Sequence, residues 1–276
     1  MNIDALFEKT HLLPTIPRVV QELIDSFNQE DVDITSIAKK IAVDQVLTAK
    51  VLRLANSAHY GSARQVGSVD DAVVVLGFNS LRTLVIASGI SGAFAQMPGL
   101  DRDAFWHHSL RVGTIAKQLA RQCSPKMNQD IAFTAGLMHA IGQLLIHIVF
   151  PKESIVIQKA SVSAPLQRMH IEQDSLGTDH CQVGAELARR WNFPSDIQQA
   201  IAHYTDPGAV SASNKLAALV QVSVHYAEGI ESEPALDDFM AAFPMQSATD
   251  LGLDNATIVD QLNHLRALSK ESDALI

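Results

Sequence analysis

The chain has little of what marks extracellular, nucleic-acid-binding or turn-rich proteins. Its 276 residues include 2 cysteines, Cys123 and Cys181, and neither lies in a CxxC pair. A disulfide framework is excluded, and a reduced, cytoplasmic setting is expected. Basic residues number 21 against 30 acidic ones, a formal net charge of −9, and no Lys/Arg run exceeds two. Such a surface repels phosphate backbones, so direct nucleic-acid binding is not expected. Glycine (14) and proline (10) together fall below the roughly 12% of an average chain, which disfavours a turn-rich β-sandwich. No GxGxxG or GxxxxGK[ST] element is present to cradle phosphates, and the opening MNIDALFEKT lacks the layout of a secretory signal. Charged side chains make up only 18% and hydrophobic ones 47%, so a large core can be buried and disorder is excluded as the main state.

What is abundant is helical periodicity. In 12–28, LLPTIPRVVQELIDSFN, two prolines suit a loop and a first turn, and Val19, Val20, Leu23, Ile24 and Phe27 follow at helical spacing. Asp33 is placed to cap a helix through Ile34, Ile37 and Ile41; a break near Val43–Asp44 precedes a second helix carrying Val46, Leu47, Val51, Leu52 and Leu54. Asn56, Ser57 and Gly61 then read as an interhelical turn. Ser68, three residues before Asp71, opens DAVVVLGFNSLRTLVIASGISGAF, whose VVV run is strand-like alone but has helical neighbours. Loop composition at Met97–Asp101 marks a boundary between two lobes. The expected fold class is all-α, a two-lobed helical bundle.

The second lobe opens with DAFWHHSLRVGTIAKQLARQC. His108 shares a face with Val112, Ile115 and Leu119 and should point inward, whereas His107 aligns with Arg111, Thr114 and Arg121. The stretch 131–150, IAFTAGLMHAIGQLLIHIVF, has no formal charge over about the length of a bilayer span. His139, Gln143 and His147 nevertheless form a polar stripe at i, i+4 and i+8, and no Lys/Arg cluster flanks it, so a single buried core helix and no membrane span is expected. Signals are weaker from Pro151 to Asp174. Next, His180, Val183, Gly184, Leu187 and Trp191 share a face, and Ser195 with Gln198 opens a helix carrying His203. His108, His139, His180 and His203 thus lie on or near inward faces. Imidazoles are common metal ligands, but spacing alone does not bring these together, and singly each reads first as a hydrogen-bonded core histidine. Cys181 follows His180 directly, and adjacent helical side chains diverge by about 100°, so His180 is no base for it. Both thiols read as small buried side chains.

Several blocks resemble a known family. FWHHSLRV (105–112) and GLMHAIGQLLI (136–146) look like the two histidine segments of the HD phosphohydrolase superfamily, where the second reads His-Asp followed by Gly-Lys. LPTIPRVVQELI, then VDQVLTAKVLRLANSAHYGSARQVGSVDDAVVVLGFNSLRTLV, then DHCQVGAELARRWNFPSDIQQAIAHYTDP resemble the HDOD domain, the HD-related output domain of bacterial signalling proteins, over about residues 12–208. The resemblance implies one HDOD unit: an N-terminal HDOD-type lobe (1–98) packed on an HD-like lobe (99–208), with C-terminal covering helices (209–276). It also implies a bacterial signalling role. Family members often follow receiver domains, and few residues precede the first block here, so the input is expected from another protein.

The departures from that pattern decide the functional expectation. Transfer places His108 and His139 at the first two ligand positions, but the Asp that should follow is Ala140 and the later Lys is Gln143. KLAALVQVSVHYA (215–227), where the last acidic ligand would lie, has no carboxylate. In a metal phosphohydrolase those carboxylates supply negative charge and hard oxygen donors that hold divalent ions, which then acidify a bound water. Without them no metal or other cofactor and no catalysis are expected, and the role is that of an output or adaptor module binding a signalling protein or a small molecule. The alternative is a divergent metal-dependent phosphohydrolase or phosphodiesterase in which His108, His139, His180 and His203 hold Mn, Fe, Zn or Mg.

Overall fold

The computed structural model describes residues 3–8, 14–29, 32–56, 65–94, 99–163, 168–209 and 214–273. Among these residues every regular element is a helix, as the patterning predicts. The first group is α1 (Ile3–Phe7), α2 (Arg18–Asp25), α3 (Ile34–Val43), α4 (Gln45–Ala55), α5 (Val69–Leu76) and α6 (Phe78–Ala93). Then come α7 (Arg102–Leu119), α8 (Gln129–Met138), α9 (Ile141–Val149), α10 (Pro151–Ser163), α11 (Arg168–Leu176), α12 (His180–Arg190) and α13 (Ser195–His203). The chain closes with α14 (Lys215–Glu231), α15 (Leu236–Ala241), α16 (Met245–Asp250) and α17 (Asn255–Asp273).

Local chemistry sets many of these boundaries. Asp33 accepts from Ser36 N at 2.9 Å and Ser68 from Asp71 N at 3.0 Å, the caps expected for α3 and α5. The break between α3 and α4 falls at Asp44, whose carboxylate turns to the Val46 and Leu47 amides. Asn56 closes the next connection by pairing both its amide groups with the Val66 backbone; Ser57 and Gly61 lie outside the described residues, as do Met97 and Pro98.

The stretch after Ser68 is helical, as the neighbours of its VVV run predict, and Gly77, with φ 75°, splits it and turns α6 by 117° from α5. Two expectations are corrected. The stretch 131–150 is likewise two helices, broken at His139–Ala140, where Ala140 has φ −105° and ψ 12°. The region Gln129–Val149 is apolar enough to cross a bilayer, yet 78% of its most apolar window is buried inside the fold. Finally, Pro194 rather than Ser195 precedes the first turn of α13, and Gln198 donates to the Phe193 carbonyl instead of closing a capping box.

Helix α7 packs on α8 and α14, α12 on α9 and α13, and α6 on α8. Glycines set how closely two of these pairs approach. A Cβ at Gly136 of α8 would lie 2.9 Å from the Gly113 Cα of α7, and one at Gly142 of α9 would overlap the His180 carbonyl of α12. Gly184, one turn along α12, sits on the same crossing, its own Cβ position 3.2 Å from Gly142 N. These contacts lie within about one to one and a half turns of His108, His139 and His180. Helix α14 is core rather than cover, burying Leu219, Val220, Val222 and Tyr226 among others. The N-terminal helices are tied on by Gln21 donating to the Trp191 carbonyl at 2.8 Å, by Phe94 edge-on to Trp191, and by Arg190 over the Phe7 ring at 4.4 Å.

Candidate functional site

The close crossings of α7, α8 and α12 bring three of the four candidate histidines into one row. The His108 and His139 rings lie 5.5 Å apart, His139 meets Tyr204 edge-on at 5.1 Å, and Tyr204 lies 6.0 Å from His180. His108 stands at the solvent end, its side chain 25% exposed, and His139 and His180 are buried. His107 faces water, as its register predicts. His203 is half-buried at the end of α13, and the next residue, Tyr204, enters the row in its place.

Each histidine in the row is held by specific partners. His139 Nδ1 lies 2.7 Å from the Gly136 carbonyl, which can only accept, so Nδ1 carries the proton and Nε2 the lone pair. Burial, reinforced by the fields of His108 and His180, pushes His139 down to about 3 and keeps it neutral. His180 is fixed at both nitrogens: Nδ1 contacts Glu172 Oε2 at 2.5 Å and Nε2 contacts the Tyr204 hydroxyl at 2.7 Å. Burial alone would lower His180, but Tyr204, Cys181 and Glu172 outweigh it and hold it well above the usual imidazole range. Of these, the Glu172 carboxylate is the partner with formal charge at neutral pH. Burial would raise Glu172, yet the bonds from His180 and the Arg168 guanidinium hold it below the usual carboxylate range. Arg168 Nε donates to Glu172 at 2.8 Å, and the His180 backbone N–H does so at 2.8 Å, which anchors the first turn of α12.

At the solvent end, His108 Nδ1 lies 3.0 Å from Glu231, which also accepts from Arg111 at 2.8 Å. The segment 215–227 does lack a carboxylate, but α14 runs one turn further and brings Glu231 to the first histidine. Glu172, Tyr204 and Glu231 were not singled out in the sequence. Glu172 and Glu231 lie on stretches without a strong motif, and Tyr204 was masked by the more conspicuous His203 beside it. Ala140 is the buried turn residue after His139, and Gln143 contributes its carbonyl to His147 Nδ1 at 2.9 Å. Cys123 and Cys181 are free and buried.

This donor set does not fit the divalent centre of an HD phosphohydrolase. Position 140 offers a methyl group where the HD pattern reads Asp, both nitrogens of His180 are engaged, and Glu231 is shared by His108 and Arg111. Among the described residues no three His, Cys, Asp or Glu side chains converge to hold an ion.

The sequence profile of the HDOD domain matches residues 13–207, most of the chain. The chain belongs to the HDOD family. Its fold is shared with an HDOD domain protein of unknown function from Geobacter sulfurreducens, 29% identical, with a TM-score of 0.79 over 96% of each chain. It is also similar to a protein from Shewanella amazonensis SB2B whose phosphohydrolase assignment is provisional, 33% identical, TM-score 0.78, covering 95% of this chain and 94% of that one. A protein from Treponema pallidum is 25% identical over 198 residues, which are 71% of this HDOD chain but 38% of that relative.

Proposed function

We propose that this HDOD chain is a non-catalytic output module of bacterial signal transduction, in which the histidine row is a structural core behind a surface that binds a signalling protein or a small molecule. The observation that carries this reading is the double engagement of His180, with Ala140 at the position where the HD pattern reads Asp. With Nδ1 on Glu172 and Nε2 on the Tyr204 hydroxyl, His180 has no nitrogen free of a protein partner to offer a metal, and a site reduced to the open nitrogens of His108 and His139 lacks both charge and coordination number. The net charge of −9 disfavours a nucleic-acid partner, and the free thiols suit a cytoplasmic setting.

The second reading, a divergent metal-dependent phosphohydrolase, is motivated by the provisional name of the Shewanella relative and by the open Nε2 of His139. Turnover separates the two. The purified chain, supplied with Mn, Fe, Zn or Mg, is assayed against nucleotides, cyclic dinucleotides and generic phosphoesters, beside His139→Ala. The binding reading expects no turnover above buffer in either protein; turnover abolished by His139→Ala would establish the hydrolase.

A further inference from the structure

Away from the histidine row, the corner between α3 and α4 presents apolar and basic side chains to solvent. Helix α4 buries Leu47, Val51 and Ala55, and its outer face carries Val46, Ala49, Lys50 and Arg53 at i, i+3, i+4 and i+7. Across Asp44, the end of α3 exposes Lys39, Ala42 and Val43. Val43 and Val46 are 84% and 64% exposed and flank the same turn, so they belong to one patch rather than to singly scattered surface positions. Lys40 is held by Glu22 at 2.6 Å, whereas Lys39, Lys50 and Arg53 form no ion pair among the described residues. Asp44, the one acidic residue of 34–56, is turned onto the Val46 and Leu47 amides at 3.0 Å.

A complementary surface stands near the other end of the chain. The stretch 228–260 has eight Asp and Glu and no Lys or Arg, against four Lys and Arg in 34–56. Within it, α15 is anchored by Phe239, buried with its ring 5.8 Å from that of Tyr226 and 5.4 Å from that of Phe243. Its outward residues are Leu236, 44% exposed, with Asp237, Asp238 and Ala241. Neither Asp forms an ion pair among the described residues. Within one chain α4 packs on α5 and α6 with its inner face, and both outer surfaces stay exposed.

We propose that the α3–α4 corner docks on α15 of a second copy of this chain. Val43, Val46 and Ala49 cover Leu236 and Ala241, and Lys39, Lys50 and Arg53 face Asp237 and Asp238. Copies of a protein with net charge −9 repel one another unless opposite charges are segregated, and these two surfaces segregate them. A contact of one short helix with one corner falls below the about 1,000 Å² of a stable interface, so it is weak and depends on its charges. An anionic membrane is the poorer occupant: the molecule as a whole is acidic, and the exposed apolar residues are valines and alanines rather than the Trp, Phe or Leu of interfacial helices.

Charge reversal in trans tests the contact. Lys50→Glu with Arg53→Glu makes the α4 face acidic, and Asp237→Lys with Asp238→Lys makes α15 basic. All four residues are exposed, and melting temperature checks that each double variant is folded. Sedimentation velocity follows wild type, each double variant and their equimolar mixture from micromolar to near-millimolar concentration, at low and at high salt. The expected result is reversible association of wild type that weakens at least about tenfold in high salt. Each double variant alone stays monomeric, because like charges then face each other. Their mixture associates again, because every contact between unlike variants joins an acidic to a basic surface, and mixing does not repair a damaged fold. Wild type that is monomeric throughout, association that survives both reversals, or a mixture that stays monomeric would overturn the inference. Flotation of wild type with phosphatidylserine vesicles, lost in Lys50→Glu with Arg53→Glu and without self-association, would overturn it in favour of a membrane.

Discussion

Glu172 and His180 form the most heavily buried ion pair in the candidate site, with side-chain exposures of 0% and 3%. Removing one partner of such a pair leaves the other charge uncompensated, so Glu172→Gln is expected to cost about 3 kcal/mol in chemical denaturation. The pH dependence follows from the two shifts. Glu172 is lowered from its ordinary 4.5, so its contribution is present above that value and lost as pH falls through the depressed folded value. His180 is raised from its ordinary 6.5, so its contribution is full below 6.5 and lost as pH rises through the raised folded value. The stability difference between wild type and Glu172→Gln should therefore peak between about pH 4.5 and 6.5 and shrink on both sides. Denaturation midpoints measured across pH check this, and a difference independent of pH would show the pair to be uncharged. His139 weakens the fold from about pH 6.5 down toward 3 in both proteins, because the unfolded chain protonates it first, and so cancels from the comparison. Of this row, His108, His139 and His180 were legible from helical register. Their partners were not, because Glu172 and Glu231 come from 8 to 123 residues away in sequence, and no periodicity encodes that pairing.

At the scale of the helix, the glycines decide what the histidines can touch. Gly142→Ala drives a methyl group into the His180 carbonyl, where two backbones meet and neither can move aside. It is expected to cost at least about 2 kcal/mol and to perturb the His180 ring resonances in NMR spectra. Gly92→Ala in α6, where a Cβ meets nothing within 4 Å, is the matched control and should be neutral or stabilising by up to about 0.5 kcal/mol. Equal effects of the two substitutions would refute the crossing as the device that sets the row. Most helices were readable because caps such as Asp33 and Ser68 and runs such as Val19–Ile24 act locally. The breaks at Gly77 and at His139–Ala140 were not, because the apolar pattern runs unbroken across both while the fold needs a turn at each.

Across the whole molecule, α7, α8, α9, α12, α13 and α14 pack on one another, and the N-terminal helices dock on them through Trp191, Phe94, Arg190 and Phe7. The blocks that resemble the HDOD family pointed to this architecture as a whole, whereas periodicity alone gave only its parts. On the proposed reading, His108, His139 and His180 lie in a row held by partners within the chain rather than by a metal ion. Metal stoichiometry tests that most directly, by elemental analysis of protein purified without a metal-binding tag and re-equilibrated with Mn, Fe, Zn and Mg. The account predicts a content well below one ion per chain, unchanged in His108→Ala and His139→Ala. About one ion per chain, lost in both variants, would contradict it.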